Sequence, residues 1–210
     1  MKKTSIIILF LIISSFLIAA YAYQNIQSET IASHWDINGK VNGYMPKLFG
    51  LSIFPIILVG MYLMFLFIPK IDPLKKIESF RKYYDYMILA IILFLFYVFI
   101  LTILFNMDYS FNMTIMIMPA VGLLFILLGI LMRKLKRNWF VGIRTPWTIS
   151  SDVVWEKTHK LGSILFIAIG LIIAASVFFQ ASTGFILAPI IISTIVLIVY
   201  SYLEFKKLKN

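Results

Sequence analysis

The chain has 210 residues, 61% of them hydrophobic and 13% charged, with a mean hydropathy of +0.96. A soluble domain carries roughly 25% charged residues, so about half the charge needed to coat a globule is present and that class is excluded. The absence of cysteine excludes a disulfide framework, a thiol nucleophile and a thiolate metal site, and the net charge of +10 has to be read from its distribution.

A transmembrane helix needs roughly 20 apolar residues to cross about 30 Å of hydrocarbon. Runs free of Asp, Glu, Lys, Arg and His occupy 4–28, 48–69, 86–107, 109–132 and 161–203. Each of the first four fits one helix. The last is about twice the length of one crossing, and its only polar cluster, 180–184 (QASTG), is the expected break. The predicted fold is therefore an all-α polytopic membrane protein with six transmembrane helices, located in the cell membrane. Of the 19 Lys and Arg residues, all but Lys40 and Lys47 then fall on one side. By the positive-inside rule that side is cytoplasmic, and so are both termini. Five spans would scatter the same charges. The basicity is thus topological, and no direct nucleic-acid partner is expected.

In chain order, 1–69 is expected to form an N-terminal two-helix membrane unit with an extracytoplasmic cap at 24–47. Its first 23 residues combine Lys2 and Lys3, an apolar core and Ala20-x-Ala22, a pattern that permits signal cleavage. The apolar stretch outruns the usual signal core of about 7–15 residues, so a retained helix is expected. In the cap, Asn38-Gly39 and Asn42-Gly43 can each form a tight turn. The flanking runs are short, which predicts a compact looped cap and not a sheet. Trp35 and Tyr44 suit the membrane interface, with ring in lipid and polar atom in water. His34 and Asp36 could chelate a metal together, but a solvated polar cap is the preferred reading.

The stretch 70–83 reads as a basic cytoplasmic connector. Asp72-Pro73 suits a helix cap and first-turn proline. Ile77, Phe80 and Tyr84 recur at helical spacing opposite Lys75, Lys76, Arg81 and Lys82, as in a short helix lying in the headgroup layer. From 84 to 210 a four-helix membrane region is expected, with a cytoplasmic loop at 133–160. In its spans Pro119, Gly122 and Gly129 allow close helix contact. No acid, base or histidine lies at mid-depth, which counts against proton-coupled or ion transport.

The loop is the longest charge-dense interruption, with Arg133, Lys134, Lys136, Arg137, Arg144, Lys157 and Lys160, and three of the four tryptophans. Pro146 restricts Thr145 to an extended conformation, so the chain bends there. Thr148, Ser150 or Ser151 can cap the next helix, with Asp152 in its first turn. On that helix Val154, Trp155, Thr158 and Leu161 are expected on one face, and Asp152, Glu156, His159 and Lys160 on an exposed polar one. Glu156-x-x-His159 is a spacing that carboxylate metal sites use. With one such motif and flanking lysines, a polar face is the preferred reading, and no metal or cofactor is expected. Arg144 can hold a phosphate or carboxylate, or carbonyls of its own turn.

The segment NWFVGIRTPWTISSDVVWEKTHKLGS resembles the signature of the SdpI family of bacterial integral membrane proteins, known as peptide-toxin immunity proteins. HWDINGKVNGYMPK is similar to the N-terminal domain of unknown function often fused to that signature, and the connector between them fits as well. The resemblance implies a functional motif of Asn138, Gly142, Arg144, Thr145, Pro146, Trp147, Thr148, Trp155 and His159. It also implies an extracytoplasmic ligand loop of His34, Trp35, Asn38, Gly39 and Gly43. The implied function is a non-enzymatic immunity or signalling protein giving resistance to a membrane-active peptide toxin. Its implied partners are the toxin outside, membrane lipids, and a cytoplasmic transcriptional repressor. Two alternatives stand beside it. One is a small-molecule permease or channel, for which Ser, Thr, Asn106 and Gln180 are the polar residues near spans. The other is a membrane enzyme at the headgroup plane using Arg144, Asp152, Glu156 and His159.

Overall fold

The computed structural model describes residues 3–179 and 183–208. Helices α1 (Lys3–Asn25) and α2 (Lys47–Ile71) are joined through two strands, β1 (Thr30–Trp35) and β2 (Val41–Pro46). A 3-10 turn (Ile77–Phe80) leads into α3 (Arg81–Asn106), followed by α4 (Met113–Met132), the short α5 (Pro146–Ser150), α6 (Asp152–Ala175) and α7 (Thr183–Lys207). Among the described residues six helices are long and apolar enough to cross a membrane. Phe10, Leu17, Ile56, Leu123, Ile164 and Ile191 on those helices are more than half exposed. That outward apolar surface is what a bilayer solvates, and only helices satisfy the backbone within it. The chain is a multi-pass membrane protein. The expected break at 180–184 lies partly outside the described residues, as do Lys2 and Lys209; at its edges α6 runs into a 3-10 turn (Ser176–Phe178) and α7 begins at Thr183.

Small residues set the closest helix pair. A Cβ built on Gly122 of α4 would stand 2.5 Å from the Gly170 carbonyl oxygen of α6, and the converse holds for Gly170. The two backbones therefore touch, as small-residue membrane packing allows.

The two ends of the bundle carry separate cores. At one end Ala22, Ile26, Ile31, Leu51, Phe99 and Ile103 are buried together beneath β1. At the other, Ile77, Phe80, Tyr84, Met132, Leu135 and Trp155 share a core with α1 and α2. Thr4 and Ser5 of α1 lie beside Arg81 and Asp85 at this second end, and Lys157 of α6 pairs with Glu204 of α7 there. Both the start of α1 and the end of α7 thus sit at the basic end.

Three expectations are corrected. The cap is a sheet: β1 and β2 pair antiparallel from Thr30↔Pro46 to Trp35↔Val41, irregular around His34. Asn38-Gly39 makes its turn, with Gly39 at φ 78°, but Asn42-Gly43 lies within β2, where a Cβ on Gly43 would meet His34 Cβ at 2.9 Å. The connector does not lay its apolar face on lipid, since Ile77, Phe80 and Tyr84 are all buried in protein. Asp72 does not start a helix; it ends α2 and is itself buried.

Candidate functional site

Beyond Met132 the chain has to return across the basic end without regular backbone pairing, and Asn138 supplies the missing partners. Fully buried, its Nδ2 donates to the carbonyls of Lys136 and Val141, both at 2.9 Å. Its Oδ1 accepts from Phe140 N at 2.9 Å and Val141 N at 2.7 Å. These four bonds use the whole capacity of an amide side chain. The turn continues through Gly142 at φ 113°, where a Cβ would collide with His159 Nε2 and come within 3.1 Å of the Trp155 ring.

Those two rings are the wall the loop folds against. Trp155 and His159 stack with centroids 4.0 Å apart and planes 18° from parallel. Trp155 Nε1 donates to the Leu135 carbonyl at 2.9 Å. Ile143 N donates to His159 Nε2 at 3.1 Å, so that nitrogen bears no proton. The proton is assigned to Nδ1, which lies 2.8 Å from the Trp155 carbonyl and donates to it. The imidazole is a neutral strut holding the loop to α6. The exposed position expected for His159 is therefore corrected: it is 2% exposed. Residues four apart share a helix face, and His159 follows the buried Trp155 by four.

Thr145, extended at φ −104° and ψ 161°, opens α5 with Pro146 in its first turn and a capping box closed by Thr148. Thr148 Oγ1 accepts from Thr145 N and donates to the Ile143 carbonyl, each at 2.8 Å. Thr145 Oγ1 lies 3.0 Å from Ser201 Oγ on α7, and Trp147 packs on Tyr202 with ring centroids 5.2 Å apart. Ser151 caps α6. Of the motif, Arg144 and Pro146 carry the exposed side chains; Arg144 Nη1 donates to the Trp139 carbonyl at 2.7 Å, beside the exposed indole of Trp139.

The connector is bolted to the same loop. Asp72 Oδ1 accepts from Trp139 N at 3.2 Å and Oδ2 from Lys76 N at the same distance. Lys76 Nζ reaches both oxygens of Asp152 at 3.0 Å, and Arg137 Nε forms an ion pair with Asp152 at 2.8 Å. Asp152 is thereby committed to cations while His159 points inward. The Asp152, Glu156 and His159 trio, weighed for metal or acid–base chemistry, does not converge.

At the opposite end, Asn106 grips the hairpin like a strand edge. Ala32 N donates to its Oδ1 at 2.7 Å, and its Nδ2 donates to the Ala32 carbonyl at 3.0 Å. Asp36 organises the turn by accepting from Asn38 N and Lys40 N, both at 2.9 Å. Asn112, the cap of α4, donates to the Asn38 carbonyl at 2.8 Å and packs under Gly39. His34 pairs with Asn42; it does not turn toward Asp36. Trp35 packs edge-on against Phe105 at 5.3 Å with its Nε1 buried, contrary to the lipid-and-water placement expected. The exposed face of the hairpin carries His34, Asn38, Lys40, Asn42 and Tyr44. Sequence reasoning missed Asp72, Asn106, Asn112 and Ser201 as structural partners. Asp72 and Asn106 did stand out, but as a helix cap and a pore-lining candidate.

Residues 134–201 match the model of the SdpI/YfhL protein family. Residues 10–59 match a domain of unknown function, DUF1648. The immunity protein SdpI of Bacillus subtilis (strain 168) is 28% identical over 217 residues, spanning 99% of this chain and 99% of that protein. No solved structure matches. The family match begins where the Asn138 turn is built and runs through α5 and α6 to Ser201 on α7, and the full-length likeness to the immunity protein covers what precedes it.

Proposed function

We propose that this protein is a non-enzymatic membrane immunity protein that protects its host against a membrane-active peptide toxin. The observation that carries the reading is the end-to-end similarity to immunity protein SdpI. The extracytoplasmic ligand is met by the hairpin, which offers His34, Asn38, Lys40 and Tyr44 on a frame fixed by Asn106 and Asn112. The loop at 133–160 faces the cytoplasm, where the clustered Lys and Arg belong by the positive-inside rule. There Arg144 keeps guanidinium donors free beside the exposed Trp139 indole. Arginine and tryptophan are the side chains that most often anchor a protein contact, which suits recruitment of a transcriptional repressor. A non-enzymatic role is supported by the commitment of Asp152 and His159 to structural bonds. A permease reading loses Asn106, whose amide is spent on Ala32 and Thr102.

Producing the protein in a peptide-sensitive bacterium tests the proposal, with the tolerated peptide concentration as the readout. Arg144→Ala is expected to lower that concentration about tenfold, the loss of one interfacial anchor, at unchanged abundance in the membrane. Equal sensitivity with and without the protein would end the immunity reading. Full protection by Arg144→Ala would remove the loop surface from it.

A further inference from the structure

Five cations of the basic end are held in ion pairs. Lys76 and Arg137 meet Asp152, Arg81 meets Glu78 and Asp85, and Lys157 and Lys207 meet Glu204. Among the cations with no ion-pair partner in the described residues, Arg133, Lys134 and Lys160 fall together, with Lys134 Nζ 6.0 Å above the Tyr83 ring. All three line one groove of about 490 Å³ at the end of the α4–α6 seam. Glu156 is the acid that joins them, so the groove carries a net charge of about +2.

Its depth is polar at one point. Ser163 lines the groove and is 1% exposed, yet its Oγ has no hydrogen-bond partner among the described residues. A buried hydroxyl without a partner costs free energy, and here it sits below three cations free to take an anion. Ile130 and Ile167 complete the lining, about one and two turns further into the membrane than the nearest charged residue of their own helices. The groove therefore grades from cationic at the surface to apolar at depth, as a lipid does from head to tail. Gly129 closes the seam beneath, with a built Cβ only 3.0 Å from the Ser163 carbonyl.

We propose that this groove is a site for the phosphate of an anionic membrane lipid. Arg133 offers a guanidinium fork, Lys134 and Lys160 supply ammonium donors, and Ser163 donates its hydroxyl. The net charge favours headgroups with a surplus negative charge over zwitterionic ones. The site lies on the α4–α6 flank, away from Arg144 and the hairpin, and its occupancy is independent of the toxin reading.

The full chain, purified in a neutral detergent, is mixed with phosphatidylglycerol or phosphatidylcholine, and bound lipid is counted by native mass spectrometry. Retention of phosphatidylglycerol in preference to phosphatidylcholine is expected. The double variant Arg133→Gln/Lys160→Gln should weaken that retention about 25-fold, roughly fivefold per cation. The charge-matched pair Lys75→Gln/Lys82→Gln, at the same end but outside the groove, should leave it within about twofold. Ser163→Ala is expected to weaken lipid binding while leaving the lipid-free melting temperature unchanged or higher, because no bond of the empty protein is lost. Equal retention of the two lipids, or an equal loss in both charge variants, would overturn the proposal. Displacement of phosphatidylglycerol by millimolar inorganic phosphate would reassign the groove to a free anion.

Discussion

Gly142 and His159 show how much a single position decides at the loop. The glycine adopts a φ that L residues rarely hold and leaves the space that the imidazole occupies. Gly142→Ala is expected to destabilise the protein by about 1–3 kcal/mol, through backbone strain and the displaced ring. Thermal unfolding in detergent measures this, and an unchanged transition would mean the loop does not depend on that packing. The bend before α5 was legible, because Pro146 constrains Thr145 whatever surrounds it. The burial of His159 was legible only through its four-residue offset from Trp155; its polar chemistry suggested the opposite face. That a glycine at 142 makes room for the ring could not be read, because the two positions meet only after α6 packs under the loop.

At the scale of elements the hairpin is the clearest case. TIASHW and VNGYMP are short and alternate weakly, and an isolated two-stranded hairpin is marginal in water. Its stability comes from beneath, where Ile31 is buried among Leu51, Phe99 and Ile103 and Asn106 completes the Ala32 backbone. Asn106→Leu keeps the side-chain volume but removes both bonds. It is expected to cost the hairpin about 1–3 kcal/mol of local stability. Amide exchange at β1 and β2 reports this as lost protection, with the exchange of α6 unaffected. Retained protection at Ala32 would show that the apolar contacts suffice. The connector teaches the same lesson in reverse. Its apolar spacing was visible, but lipid and protein interiors select the same residues, so the pattern could not say that Ile77, Phe80 and Tyr84 face the core.

For the whole molecule, orientation is the property on which both surfaces depend. The structure gathers the ends of α1 and α7, the connector and the loop at one end and the hairpin at the other. By the positive-inside rule the first end is expected in the cytoplasm. Because the chain has no cysteine, Asn38→Cys and Lys136→Cys each introduce a single thiol at an exposed position. In intact cells a membrane-impermeant maleimide is expected to label the first and to reach the second only after permeabilisation; the reverse pattern would invert the topology. Composition and charge alone determined the membrane class, the six spans and the expected orientation, because hydrocarbon imposes a length and an apolar character on every crossing regardless of its neighbours. Tertiary structure decided what the polar minority does. Asp72, Asn106, Asn138 and His159 take partners that are distant in sequence or hidden by a turn of helix, and a buried polar group is defined by the partner it finds.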